Sequence, residues 1–171
     1  DFMDINGDGL MDRVKQGHDD TIHGGSGHDD YRFRLQLNTG SGFAPTEVWP
    51  SNGNYLRHCN TDDHFYAYDY IDMDGDGRPD RVWQISSTNL SIMYNTGSGF
   101  GSKVSIASEG DYLRGFTPHG NTVYDYLDMN GDGLTDRVWQ SGLFEDSTLY
   151  IRFFTGEEFG PTRAWKSEGN Y

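Results

Sequence analysis

The stretch YDYIDMDGDGRPDRVWQ, residues 68–84, places acidic side chains at alternate positions of a short loop between two strand-like runs. Asp72, Asp74 and Asp76, the backbone carbonyl of Arg78, and Asp80 occupy positions 1, 3, 5, 7 and 9 of that loop. Oxygens at this spacing let one tight turn surround a hard cation, and the stretch reads as a calcium loop. Gly75 and Gly77 supply backbone conformations that a residue with a Cβ resists.

The pattern recurs twice, as DFMDINGDGLMDRV (residues 1–14) and YDYLDMNGDGLTDRVWQ (residues 124–140). The aligned ligand sets are Asp4, Asn6, Asp8, the Leu10 carbonyl and Asp12, and then Asp128, Asn130, Asp132, the Leu134 carbonyl and Asp136. A single Asp-Gly run reads equally well as an ordinary hairpin turn, but three copies with all five positions kept favour a cation. An EF-hand is excluded, because its twelve-residue loop ends in a bidentate Glu between helices. Here the twelfth positions are Lys15, Trp83 and Trp139, and the flanks alternate with the period of strands. Three Ca²⁺ ions are expected, one per loop, with the second loop binding most tightly because it has four carboxylates against three plus an Asn.

Composition agrees with an all-β chain of one domain. Of 171 residues 34% are hydrophobic and 15% aromatic, with 23 Gly and 5 Pro, which suits short strands and tight turns. The formal charge is −14, and ten of the acids lie at the proposed metal positions; three Ca²⁺ would leave −8. Such a surface is a poor partner for phosphate backbones, so no nucleic acid is expected. No run of about 18 apolar residues is present, so no membrane span is expected. The one Cys, Cys59, excludes an internal disulfide framework, and its neighbour His58 points to the opposite face of an extended chain.

Phe43, Phe100 and Phe159 each close a glycine-rich turn, in LNTGSGF, YNTGSGF and FTGEEFG, at spacings of 57 and 59 residues. That period matches a four-stranded antiparallel unit, the size of one β-propeller blade, and divides a single repeat domain into units 1–57, 58–114 and 115–171. In each unit the first strand enters the acidic loop and the second leaves it. The third alternates, with Phe33, Leu35, Leu37, then Leu90, Ile92, Tyr94, then Leu149, Ile151, Phe153 on a buried face, and Arg34, Gln36, Ser91, Tyr150 and Arg152 on a wetter one.

The combination Asp-x-[Asp/Asn]-Gly-Asp-Gly-x-x-Asp-Arg-Val followed by Asn-Thr-Gly-x-Gly-Phe resembles the FG-GAP/VCBS repeat family of calcium-binding β-propellers, over essentially the whole chain. The phrasing is most similar to the repeats of bacterial insecticidal-toxin and RHS-associated shells of the SpvB type. The resemblance implies a calcium loop tying the first two strands of each blade together. It leaves the partner open, because such propellers serve adhesion, sugar binding and toxin packaging.

The first unit carries extra length between its second and third strands, KQGHDDTIHGGSGHDDYR, residues 15–32. The part from Gln16 to Asp30 holds His18, His23 and His28 with Asp19, Asp20, Asp29 and Asp30, and reads as a solvated polar loop. No nucleophile elbow, His-Glu-x-x-His or phosphate-cradling glycine motif occurs, and the regularly spaced acids are taken by calcium, so no enzyme is expected. The function expected is a binding, adhesion or structural scaffold with a protein or glycan ligand, the alternatives being a lectin-type propeller or a shell segment of a bacterial toxin complex. A sugar platform would draw on Trp49, Trp83, Trp139, Trp165 and the connector residues Tyr55, Tyr112 and Tyr171, although Trp83 and Trp139 stand where blades pack together. Weak loops of three carboxylates fill at the millimolar calcium outside cells and stay largely empty at cytosolic levels, which points to a secreted, extracellular or cell-surface location. Three units fall short of the roughly four to eight blades of a closed propeller, so further blades in the same chain or a homo-oligomer, such as two chains making six blades, are expected.

Overall fold

The computed structural model describes residues 1–16, 32–50, 67–86, 88–108, 113, 123–140 and 148–166. They form twelve strands: β1 (Phe2–Met3), β2 (Asp12–Gln16), β3 (Phe33–Gln36), β4 (Glu47–Trp49), β5 (Ala67–Ile71), β6 (Asp80–Ser86), β7 (Asn89–Met93), β8 (Val104–Ala107), β9 (Val123–Leu127), β10 (Asp136–Gln140), β11 (Thr148–Arg152) and β12 (Arg163–Lys166). The strands make three four-stranded antiparallel sheets, β1-β2-β3-β4, β5-β6-β7-β8 and β9-β10-β11-β12, each a blade with neighbours joined in chain order. The expected fold class and repeat architecture are what is observed.

Register follows from side-chain alternation. Val82 lies opposite Asp69 and Ile92, and Ile92 opposite Val104, while Trp83 lies opposite Tyr68 and Ser91 on the other face. The last hairpin of each blade is set by its Thr-Gly turn. Thr39, Thr96 and Thr155 donate their N–H to the carbonyls of Gly42, Gly99 and Glu158 at 2.9, 2.9 and 3.0 Å. Asn38, Asn95 and Phe154 bridge to Phe43, Phe100 and Phe159 at these turns.

Blade packs on blade through aromatic rings. One face of the first blade buries Met3, Ile5, Val14, Phe33, Leu35 and Trp49, with Tyr70 and Phe100 of the second blade set against them. Phe33 meets Tyr70 and Phe100 edge-on at 6.3 and 6.0 Å, and Trp49 meets Phe100 at 6.1 Å. The far face of the second blade contributes Met73, Val82, Leu90, Ile92 and Ile106 to a core with Leu113 and with Phe154 and Phe159 of the third. The second blade is therefore covered on both faces. This corrects the expectation of a wetter face there, since Ser91 and Met93 are each only 5% exposed. Phe2 and Phe43 hold the repeat places of Tyr70 and Phe100 but are 62% and 48% exposed, because the described residues set no blade on that face.

The tryptophans divide accordingly. Trp49 and Trp83 are buried and Trp139 half-buried; Trp83 stacks on Tyr68 and Trp139 on Tyr150, each within its own blade, whereas Trp165 is 43% exposed. Tyr55, Tyr112, Tyr171, His58, Cys59 and the histidines and aspartates of 17–31 lie outside the described residues.

Candidate metal centre

Each acidic loop connects the first and second strands of its blade, and three layers of hydrogen bonding shape it. The first-position Asp caps the turn. Asp72 accepts the N–H groups of Gly75, Asp76 and Gly77 at 2.8, 3.1 and 2.9 Å; Asp4 accepts those of Gly7, Asp8 and Gly9, and Asp128 those of Asn130, Gly131 and Gly133. The N–H groups of Gly133 and Gly131 hold the Asp128 carboxyl below its ordinary range, since they favour the ionised form. At the seventh position Leu10, Arg78 and Leu134 donate their N–H to Asp8, Asp76 and Asp132, each at 2.8 Å.

The ninth-position Asp ties the loop to the far hairpin. Asp12, Asp80 and Asp136 are fully buried, and one oxygen of each accepts the N–H of Ile5, Met73 or Met129 at 3.1, 2.9 and 2.9 Å. The other oxygen accepts the N–H of Asn38, Asn95 or Phe154 at 2.7, 2.8 and 2.9 Å. This second role was not legible from ligand spacing alone. The signal for it lies in the Thr-Gly turn, because the residue before its Thr (Asn38, Asn95 or Phe154) is the donor in each blade.

The loops differ at positions 3 and 5. Asn6 and Asn130 donate their side-chain amides to Asp8 and Asp132 at 3.0 and 2.9 Å. Asp74 has no such donor, and in the second loop the Arg78 guanidinium takes the place, paired with the Asp76 carboxylate and donating from Nε to the Asn95 carbonyl at 3.2 Å. Loop 2 thus has one more acid and one more base than its neighbours.

Oxygens of Asp72, Asp74 and Asp80 all lie within 4.8 Å of one another, the one such acidic triple among the described residues. Asp76 is turned to Arg78, and neither Asp4, Asp8, Asp12 nor Asp128, Asp132, Asp136 converge as three acids, because an Asn holds the third position. Burial pushes the Asp80 carboxyl up to about 7, against the pull of the Asn95 and Met73 N–H groups. Burial and the nearby Asp76 raise Asp74 as well. An all-oxygen set of crowded, partly desolvated carboxylates is the chemistry that a hard divalent cation satisfies, so Asp72, Asp74 and Asp80 fit calcium.

Each loop also touches the next. The Thr135 hydroxyl donates to the Asp72 carbonyl and its N–H to the Met73 carbonyl at 3.3 Å, while the Asn95 side chain donates to the Ile5 carbonyl at 2.7 Å.

No family model matches the sequence, and no curated protein matches it. Among solved structures the chain is similar to one in the Photorhabdus luminescens Tc holotoxin pore, with a TM-score of 0.66 and 21% identity over 98% of this chain and 7% of that one. It is also similar to an Agrocybe aegerita lectin that recognises non-reducing terminal N-acetylglucosamine, with a TM-score of 0.54 and 20% identity over 95% of this chain and 36% of that one. The chain spans a small part of either, and the likeness is one of blade architecture.

Proposed function

We infer that this chain is a calcium-braced segment of a β-propeller of the FG-GAP/VCBS type, serving as a rigid, non-enzymatic scaffold in a secreted or surface assembly. The gathering of Asp72, Asp74 and Asp80 in a loop of thrice-repeated spacing carries the reading. Calcium held there joins the first two strands of a blade and offsets carboxylate repulsion at a point where burial already disfavours charge. The likeness to the toxin-pore chain over nearly all of these residues supports a shell segment of a larger assembly. The exposed Phe2 and Phe43, set where inter-blade rings sit elsewhere, support further blades or a second copy beside the first blade.

A lectin-type propeller is the second reading. The half-exposed Trp165 favours it, being a ring available to stack on a sugar face, as does the likeness to the lectin fold.

Calorimetric titration of the 171-residue chain should find three calcium ions. At about 100-fold excess over Kd each filled loop should contribute about 2.7 kcal/mol, seen as a higher melting temperature than in chelator. An unchanged melting temperature on chelation overturns the brace. A glycan array run with and without chelator separates the lectin from the shell.

A further inference from the structure

We propose that Asn95 and Thr135 are coupling residues that make the three calcium loops fill cooperatively, an inference that rests on the calcium reading above.

Between the first two loops a continuous hydrogen-bonded path runs through buried groups. Asp12 accepts the Ile5 N–H at 3.1 Å, the Ile5 carbonyl accepts the Asn95 side-chain amide at 2.7 Å, and the Asn95 N–H donates to Asp80 at 2.8 Å. Ile5 and Asn95 are 1% and 3% exposed and both aspartates are fully buried, so water cannot replace a broken link. Between the second and third loops the path continues from the other Asp80 oxygen. That oxygen accepts the Met73 N–H at 2.9 Å, and the Met73 carbonyl accepts the N–H of Thr135, the residue before Asp136, at 3.3 Å. The Thr135 hydroxyl adds a bond to the carbonyl of Asp72, the first residue of the second loop.

The two junctions use different residues for one task, which argues for the task. At the first junction the loop residue is Pro79, which has no N–H, and Asn95 in the neighbouring turn supplies the donor. At the second, Phe154 stands where Asn95 would, and Thr135, in the place of Pro79, supplies the donor instead. In either case the carbonyl of the loop's second residue, Ile5 or Met73, is held by the next blade.

Coupling follows from these constraints. A ninth-position carboxylate held in place by a cation fixes the N–H groups bonded to it. Those belong to residues whose other polar groups position the neighbouring loop. Ordering one loop thereby removes part of the conformational cost of ordering the next, and the effect is reciprocal by linkage.

The test is calcium titration of the 171-residue chain carrying Asp132→Ala, which disables the third loop and leaves the first two. The expected result is a Hill coefficient above unity, brought to unity by adding Asn95→Ala. Adding Asp8→Ala in place of Asn95→Ala should weaken calcium at the second loop by about fivefold or more, the low end of ordinary coupling between sites. That arm leaves Asn95 intact and guards against a variant that fails to fold. Thr135→Val in an Asp8→Ala background should lower the coupling of the second and third loops, and Thr135→Ser should restore it. Calcium binding with unit Hill coefficient, or cooperativity untouched by Asn95→Ala, overturns the proposal while leaving the calcium reading standing. Absence of any calcium binding overturns that reading and the proposal with it.

Discussion

Gly75 lies so close to Gly133 that a Cβ on it would sit 2.0 Å from the Gly133 carbonyl oxygen, which makes this glycine a contact between two acidic loops as well as a turn residue. Its repeat equivalents share its backbone but not so close a contact, since a Cβ on Gly7 would stay 3.6 Å from the carbonyl oxygen of Gly77, the repeat equivalent of Gly133. Gly75, Gly7 and Gly131 have φ of +75°, +77° and +80°; a Cβ on Gly7 would meet the flexible Arg78 side chain at 2.9 Å, and one on Gly131 would meet nothing within 4 Å.

Gly131→Ala should therefore cost only the left-handed strain, about 1 kcal/mol, while Gly75→Ala should cost about 3 kcal/mol or more, because two backbones must separate. Gly7→Ala should fall between them. Chemical denaturation of the three variants checks the order, and equal losses at Gly75 and Gly131 would show that the loops do not touch.

Arg81 and Arg13 hold the same repeat position in opposite surroundings. The Arg81 guanidinium is buried between the first two blades, 5.5 Å from the Phe33 ring, 5.9 Å from Tyr68 and 5.6 Å from Trp83. Arg13 is exposed and donates to Gln36 at 3.3 Å. Arg81→Ala should lose about 2–4 kcal/mol of stability through lost cation–π contact and packing, and Arg13→Ala within about 0.5 kcal/mol. Thermal unfolding of the pair measures the difference.

Arg78 compensates Asp74. Arg78→Leu copies the seventh position of the other loops and removes the cation that competes for Asp76, so calcium at the second loop should tighten about fivefold, the value of roughly 1 kcal/mol for an exposed ion pair. The double substitution Asp74→Asn with Arg78→Leu should return affinity to the parent value. Calorimetry reads both, and weaker binding in Arg78→Leu would refute the compensation.

Asp136 braces its blade without metal. Its two oxygens each accept a backbone N–H, from Met129 and Phe154, both at 2.9 Å. Asn offers one acceptor in the same volume, so Asp136→Asn leaves one buried N–H facing an amide and should cost about 1–3 kcal/mol. Measured in chelator, the loss should persist. The exposed Asp132→Asn should stay within about 0.5 kcal/mol under the same conditions.

The sequence by itself determined the blades, the loops and their number. Acids at alternate positions, glycines at fixed offsets and a spacing of 57 and 59 residues between turn phenylalanines are local and periodic, and local periodicity is written directly in a chain. Only the tertiary structure decided what each repeated residue does. Phe43 and Phe100 are the same letter in the same motif, yet one is 48% exposed and the other packs on Trp49 and Phe33, because a neighbouring blade covers one face and not the other. Arg13 and Arg81 part for the same reason. Asn95 and Thr135 read as a turn residue and a loop residue until the blades are side by side, when both prove to hold a carbonyl of the adjacent loop. Packing between repeats is a contact at long sequence separation, and no spacing within one repeat encodes which of its faces will be covered.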